Sequence, residues 1–367
     1  MAQNKLFWFD SHCDTPSQIY RLGRDLSKDN HHCHVDFPKM RRGGSGGAFF
    51  ALYTPPVMEP DAATRYALEM LSGVMDTLDA HPDQASLVKS PSEAREAIDS
   101  GRLAIAIGME NASPIQRSLS LLREFHRLGV SYITLTHNGD NELADAASHG
   151  TRWGGLSPFG REVVAEMNRL GIMIDLSHAH DRTFWDALEA SAAPIMATHS
   201  CCRELCPHRR NLTDDMLRAL GESGGYVGIN FYPSFLSPRF LANPDEAALM
   251  DEADRIDAEF RADTSNKSKL LAWQQVQDRL LEIWRPGVRE VADHIDRAVS
   301  LAGEDHVGIG SDYDGIEVGP EGLENISCMG ALAEELSRRG YSAELIKKIA
   351  GANLLAYWEK VKALSGE

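Results

Sequence analysis

An apolar run, Phe7-Trp8-Phe9, breaks into the polar knot Asp10-Ser11-His12-Cys13-Asp14. On a strand, side chains two residues apart share a face, so His12 and Asp14 aim one imidazole and one carboxylate at one point. Those donor types together suit a divalent metal. Taken alone, His-x-Asp reads as a buried ion pair. The metal reading gains weight because other strand ends along the chain also finish in ligand residues.

The elements that must position these groups are eight short apolar runs: Leu6–Phe9, Ala48–Tyr53, Leu103–Ile107, Tyr132–Leu135, Ile172–Leu176, Pro194–Ala197, Tyr226–Phe231 and Val307–Ile309. Near-continuous apolarity marks strands buried on both faces of a parallel sheet, and most of the runs are separated by helical patterns. Eight such units predict an α/β fold of the (β/α)8 TIM-like barrel type. An open doubly wound sheet is the rival, but no Gly-x-Gly-x-x-Gly follows any run. Ser157-Pro158 predicts a helix start, with apolar residues through Leu170 and a stop at Gly171. Ser118 to Leu128 repeats the arrangement before Gly129. Arg41 to Gly47 reads as a flexible turn into the second run, and Leu205 to Asn211 as a polar loop. The charged helical stretch Asn243 to Trp284 falls between the seventh and eighth runs. The expectation is a single domain over residues 1–367, with a helical insertion at about 243–285.

Beyond His12 and Asp14, the runs end in Glu110, His137, His178, His199 and Asp312. In a barrel, the C-terminal ends of the strands converge on one mouth, where active sites sit. Independent core histidines do not land repeatedly at one strand position. His12, Asp14, His178 and His199 make two three-ligand sets if Glu110 bridges them, each leaving room for water. Two ions about 3.5–4 Å apart share a hydroxide and clamp a tetrahedral intermediate. His137 and Asp312 are then left for chemistry.

At this point the chain resembles the renal (membrane) dipeptidase family of metallopeptidases, within the amidohydrolase-like barrels, nearly end to end. The marks are Asp10-Ser11-His12-Cys13-Asp14, Leu135-Thr136-His137, Gly155-Leu156-Ser157-Pro158-Phe159-Gly160, Asn168-Arg169-Leu170-Gly171, Ile174-Asp175-Leu176-Ser177-His178, His208-Arg209-Arg210-Asn211 and Gly310-Ser311-Asp312-Tyr313-Asp314-Gly315. The resemblance implies hydrolysis of dipeptides with two zinc ions. It implies that His12, Asp14 and Glu110 hold one ion, and that Glu110, His178 and His199 hold the other. It further implies that His137 steadies the oxyanion at the scissile carbonyl, that Asp312 handles the proton passed to the leaving amine, and that Arg210 receives the substrate carboxylate. It also implies tolerance of a D-residue at the C-terminal position. Asp314 is the rival to Asp312 and Arg209 the rival to Arg210; spacing from His199 favours Arg210. Two departures stand out. Cys13 replaces the Asn of many members, and the insertion is absent from mammalian ones.

Bulk properties agree with a globular enzyme. The 367 residues are 43% hydrophobic and 25% charged, with a net charge of −17, which disfavours nucleic acid as a partner. No 18-residue apolar run is present, and neither terminus reads as a signal or lipid anchor, so the expectation is a cytoplasmic protein without membrane contact. Six cysteines in so long a chain predict free thiols, not a disulfide framework. The cluster His31-His32-Cys33-His34 ends no strand, and Cys201, Cys202 and Cys206 lack a second spaced pair, so neither predicts a metal site. His149, His180, His294 and His306 read as helix or loop residues. Small dipeptides are the expected partners, with a homodimer as the oligomer considered. Two other classes stay open on sequence. One is a barrel hydrolase of cyclic amides, lactones or phosphoesters; the other is a non-catalytic metal binder.

Overall fold

In the computed structural model, which describes residues 6–148, 152–262 and 266–366, nine parallel strands form one sheet. They are β1 (Trp8–Cys13), β2 (Ser45–Tyr53), β3 (Ala85–Leu87), β4 (Leu103–Glu110), β5 (Val130–Thr134), β6 (Met173–Asp175), β7 (Met196–Ser200), β8 (Tyr226–Ile229) and β9 (Val307–Ile309). Eight of them follow one another in the order β1-β2-β4-β5-β6-β7-β8-β9. The two ends of this path meet where Asp14 N–H donates to the Tyr313 carbonyl (2.8 Å) and Asp312 N–H donates to the His12 carbonyl (3.1 Å). The result is a nearly closed (β/α)8 barrel, as the alternating runs predict. The ninth strand, β3, pairs with Leu103 to Ile105 at the lower end of β4, below the point where β5 joins at Ile107. Three residues long, it carries too little pattern to be seen in sequence.

Local chemistry explains the helix boundaries. Ser157 accepts from Gly160 N–H at the start of the Pro158–Leu170 helix, and Gly171 ends it in the left-handed region. Ser118 and Gly129 do the same for Leu119–Leu128. One expectation fails: Ser45, Gly46 and Gly47 belong to β2 and are not a flexible turn. The glycine is needed for close strand approach, since a Cβ at Gly47 would lie 2.1 Å from the Ala104 carbonyl oxygen.

The barrel interior is filled by Phe9, Phe49, Tyr132, Met173, Met196 and Tyr226, and the C-terminal helix Asn353–Ala363 plugs its base with Trp358. The Phe49 and Trp358 rings are 5.0 Å apart. This packed floor leaves the opposite mouth for chemistry. The insertion is two helices, Pro244–Ala262 and Lys267–Glu282, which enclose a small apolar cluster including Leu249, Ile256, Val276 and Leu280. No described helix is long and apolar enough to cross a membrane.

Candidate metal centre

β1 does not run regularly into the site. Its pairing with β2 slips between Asp10 and Cys13, and the Asp10 carboxylate accepts from the N–H of both His12 (3.1 Å) and Ser311 (2.9 Å). This clamp sets the direction of His12. Glu110 is the last residue of β4 and His199 lies within β7. His178 and Asp312, beyond the ends of β6 and β9, take φ values of 67° and 64°. That left-handed backbone is costly for residues other than glycine, and such strain concentrates at functional positions.

The five predicted ligands converge. His12 Nε2 lies 3.7 Å from Glu110 Oε2 and 4.0 Å from Asp14 Oδ1. The other Glu110 oxygen, Oε1, is 3.1 Å from His178 Nε2 and 3.5 Å from His199 Nε2. His137 Nε2 stands 3.9 Å from the same Oε1, and Asp312 Oδ1 is 4.0 Å from His12 Nε2. Among the described residues, three donor triads are close enough to hold an ion: His12–Glu110–His199, Glu110–His137–His178 and His12–Asp14–Asp312. Glu110 appears in two and His12 in two, so the donors form one continuous cluster. Geometry alone therefore groups His137 with His178, where the resemblance groups His199.

These residues suit a divalent cation. His12 Nε2, His199 Nε2 and Asp14 Oδ1 are buried without a hydrogen-bond partner, although each ring's other nitrogen is engaged. Burial and the neighbouring Glu110 push the Asp14 carboxyl well above its usual range. Burial opposes charge on His12, yet Glu110, Asp14 and Asp312 outweigh it and raise the imidazole to about 10. Burial would likewise raise Glu110, but His12 and His137 hold its carboxyl well below the usual range. Burial, with Arg210 and neighbouring imidazoles, keeps His178 and His199 neutral, the ligating form. Three carboxylates crowded out of water are costly unless a cation compensates them.

The outer partners were not visible in sequence. His12 Nδ1 is 2.7 Å from the Tyr132 hydroxyl. His199 Nδ1 is 2.8 Å from Thr198 Oγ1, whose hydroxyl donates to Asp175. Asn138 Oδ1 lies 3.0 Å from His178 Nδ1, and Asn230 donates to Asp312 Oδ2 at 3.1 Å. Such partners fix ring orientation and tautomer. Tyr132 reaches His12 because residue 108 is glycine; a Cβ there would fall 2.0 Å from the tyrosine Cζ. One signal was available: Asn230 is a polar interruption in the apolar run Tyr226–Phe231.

Arg210 lines the same cleft, of about 900 Å³, as Glu110, His137, His178 and Asp312. It is only 5% exposed, with its Nε unpartnered, one Nη donating to the His199 carbonyl (3.3 Å) and its guanidinium 5.3 Å from the Phe235 ring centroid. Arg209 also borders the cleft but is exposed and donates to the Ser148 carbonyl.

The membrane dipeptidase model (peptidase family M19) matches residues 2–367. The chain belongs to this family. An uncharacterized dipeptidase of Schizosaccharomyces pombe is 34% identical over 347 residues, 90% of this chain and 73% of the relative. Among solved structures, the probable dipeptidase PvdM of Pseudomonas aeruginosa is similar with a TM-score of 0.84 and 27% identity, covering 98% of this chain and 96% of that one. A metallopeptidase of Rhodobacter sphaeroides, liganded with a phosphinate mimic of the dipeptide L-Ala-D-Ala, gives 0.81 and 26%, covering 98% and 100%.

Other groups in this dipeptidase-family chain have structural duties. Asp314, the rival to Asp312, accepts from His34 N–H (2.7 Å) and the Thr15 hydroxyl (2.8 Å). His34 Nδ1 in turn accepts from Asp314 N–H, which uses up that member of the 31–34 cluster. Cys201, Cys202 and Cys206 are buried free thiols whose Sγ atoms donate to backbone carbonyls, and burial raises all three. Cys13 points to Ser311 in the outer core, away from the donor cluster. His180 caps a helix, His306 contacts the Gly225 carbonyl and His294 lies in the Val288–Ala302 helix. His149 lies outside the described residues.

Proposed function

We propose that this dipeptidase-family chain hydrolyses dipeptides with a free C-terminal carboxylate, using two zinc ions held by His12, Asp14, Glu110, His178 and His199. The observation that carries this reading is the split of Glu110. One oxygen faces His12 and the other faces His178 and His199, as a bridge between two ions requires. When bound, such ions supply a water acidified to near-neutral pKa and a Lewis acid for the carbonyl.

The protein's own residues do the rest. Arg210 takes the substrate carboxylate with its guanidinium, a charge-assisted contact of fixed geometry. His137, with Nε2 turned to the centre, donates to the oxygen of the scissile carbonyl as negative charge develops there. Asp312 holds Asn230 with Oδ2, leaving Oδ1 to accept a proton from the attacking water and pass it to the leaving amine. Burial raises the Asp312 carboxyl to about 6, in spite of His12 and Asn230, close to the working pH of a proton carrier. The Rhodobacter relative's ligand, a mimic of L-Ala-D-Ala, supports dipeptides as the substrate class and a D-residue at the C-terminal position.

Metal analysis combined with a substrate screen tests the reading. Purified protein should carry close to two zinc equivalents and cleave free dipeptides, while cyclic amides, lactones and phosphoesters remain intact. Full activity after complete metal removal, or hydrolysis of dipeptide amides as fast as of free dipeptides, would overturn it.

A further inference from the structure

The helical insertion is built into the cleft. Glu246 is buried and accepts from the Ser234 hydroxyl (2.9 Å) in the segment after β8, while Gln277 donates to the Glu317 carbonyl (3.0 Å) after β9. Tied on both sides, the helix pair turns Met250 and Trp273 toward the cleft, each half-buried against the insertion's own apolar cluster. A cleft of about 900 Å³ is near the upper end of what drug-sized ligands fill, and a dipeptide backbone needs far less. The remaining space has an apolar wall that the barrel alone does not supply.

Charge tells which end of the substrate meets that wall. Arg209 and Arg210, on the loop after β7, make one side of the cleft basic, and Arg210 is the carboxylate anchor of the proposed function. Asp251 of the insertion and Glu317 after β9 bring carboxylates to the lining outside that loop, against one further cation there, Arg21. A zwitterionic dipeptide lies with its ammonium toward the acids. We infer that Trp273 and Met250 form the subsite for the N-terminal residue's side chain and select bulky apolar side chains there. This rests on the dipeptidase reading with Arg210 as anchor.

The zinc-loaded full chain and its Trp273→Ala, Trp273→Phe and Met250→Ala variants should be assayed with Leu-Gly, Gly-Leu and Gly-Gly. Burying a leucine side chain predicts a wild-type kcat/KM at least tenfold higher for Leu-Gly than for Gly-Gly. Trp273→Ala should erase most of that preference, leave Gly-Gly within about twofold, and keep the metal content; Trp273→Phe should restore much of it. Met250→Ala should reduce the preference less. Equal loss on all three peptides, no loss at all, or a change confined to Gly-Leu would each overturn the inference while leaving the dipeptidase reading intact. A zinc-loaded wild type that cleaves none of the three overturns both.

Discussion

The hydroxyl of Tyr132 meets Nδ1 of His12 at 2.7 Å, inside the barrel and beneath the donor cluster. In the proposed function Nε2 is given to a metal, which leaves the proton on Nδ1 to be donated to the tyrosine oxygen and so locks the ring. Tyr132→Phe removes this contact and keeps the packing against Phe49. Zinc affinity should fall about 10–100-fold, as for other outer-sphere partners, with little change in thermal unfolding of the metal-free protein. Competition with a chromogenic chelator measures it, and wild-type affinity in the variant would show that the hydroxyl does not orient His12.

Glu110→Gln should cost more bound zinc than His137→Ala. Only Glu110 faces both imidazole groups, whereas the role proposed for His137 is to stabilise developing charge. His137→Ala should keep its metal and lose on the order of 10²–10³ in kcat. Because His137 also stands in a donor triad with Glu110 and His178, metal analysis of the two variants decides between these arrangements. Loss of one zinc equivalent in His137→Ala would make it a ligand.

Arg210→Met preserves much of the side chain's apolar stem against Phe235 while removing its charge. For free dipeptides, kcat/KM should drop about ten- to hundred-fold, the effect of losing a contact of roughly 1.5–3 kcal/mol. Zinc content should not change. Arg209→Met should leave catalysis near wild type, since that guanidinium is exposed and already engaged by Ser148. A reversed order of the two effects would move the anchor to Arg209.

His294 gives a prediction about acid stability. Its Nδ1 accepts from Cys202 N–H (3.0 Å) and its Nε2 faces the Leu236 carbonyl (3.1 Å), so the folded ring is neutral with no place for a second proton. Burial lowers it from 6.5 to about 4. Between those values the unfolded chain binds the proton and the folded chain does not, so stability falls as pH is lowered from about 6.5 toward 4. The contribution across that window is roughly 3 kcal/mol. In denaturant titrations, His294→Gln should flatten the pH dependence by about one proton; an unchanged slope would mean that the ring protonates without cost.

The sequence determined the alternation of apolar runs and helices, and the acidic and imidazole groups at the run ends. Burial on both faces writes itself as continuous apolarity, and the end of a strand is a fixed chemical position, so the barrel and the donor groups that meet at its mouth were legible together. Caps such as Ser157 and Gly171 are equally local. What lay beyond reading depends on contacts between segments far apart in the chain. β3 exists because β4 has a free edge below β5. The Gly-rich segment before Ala48 is strand because a neighbour needs close approach, not because glycine favours extension. Tyr132 looks like any core aromatic until Gly108, its register partner on the neighbouring strand β4, lets its hydroxyl reach His12. The assignment of Met250 and Trp273 to the cleft likewise required the insertion to be tied down by Glu246 and Gln277. Residue type and local period are properties of a segment, but which polar atom meets which is a property of the closed barrel.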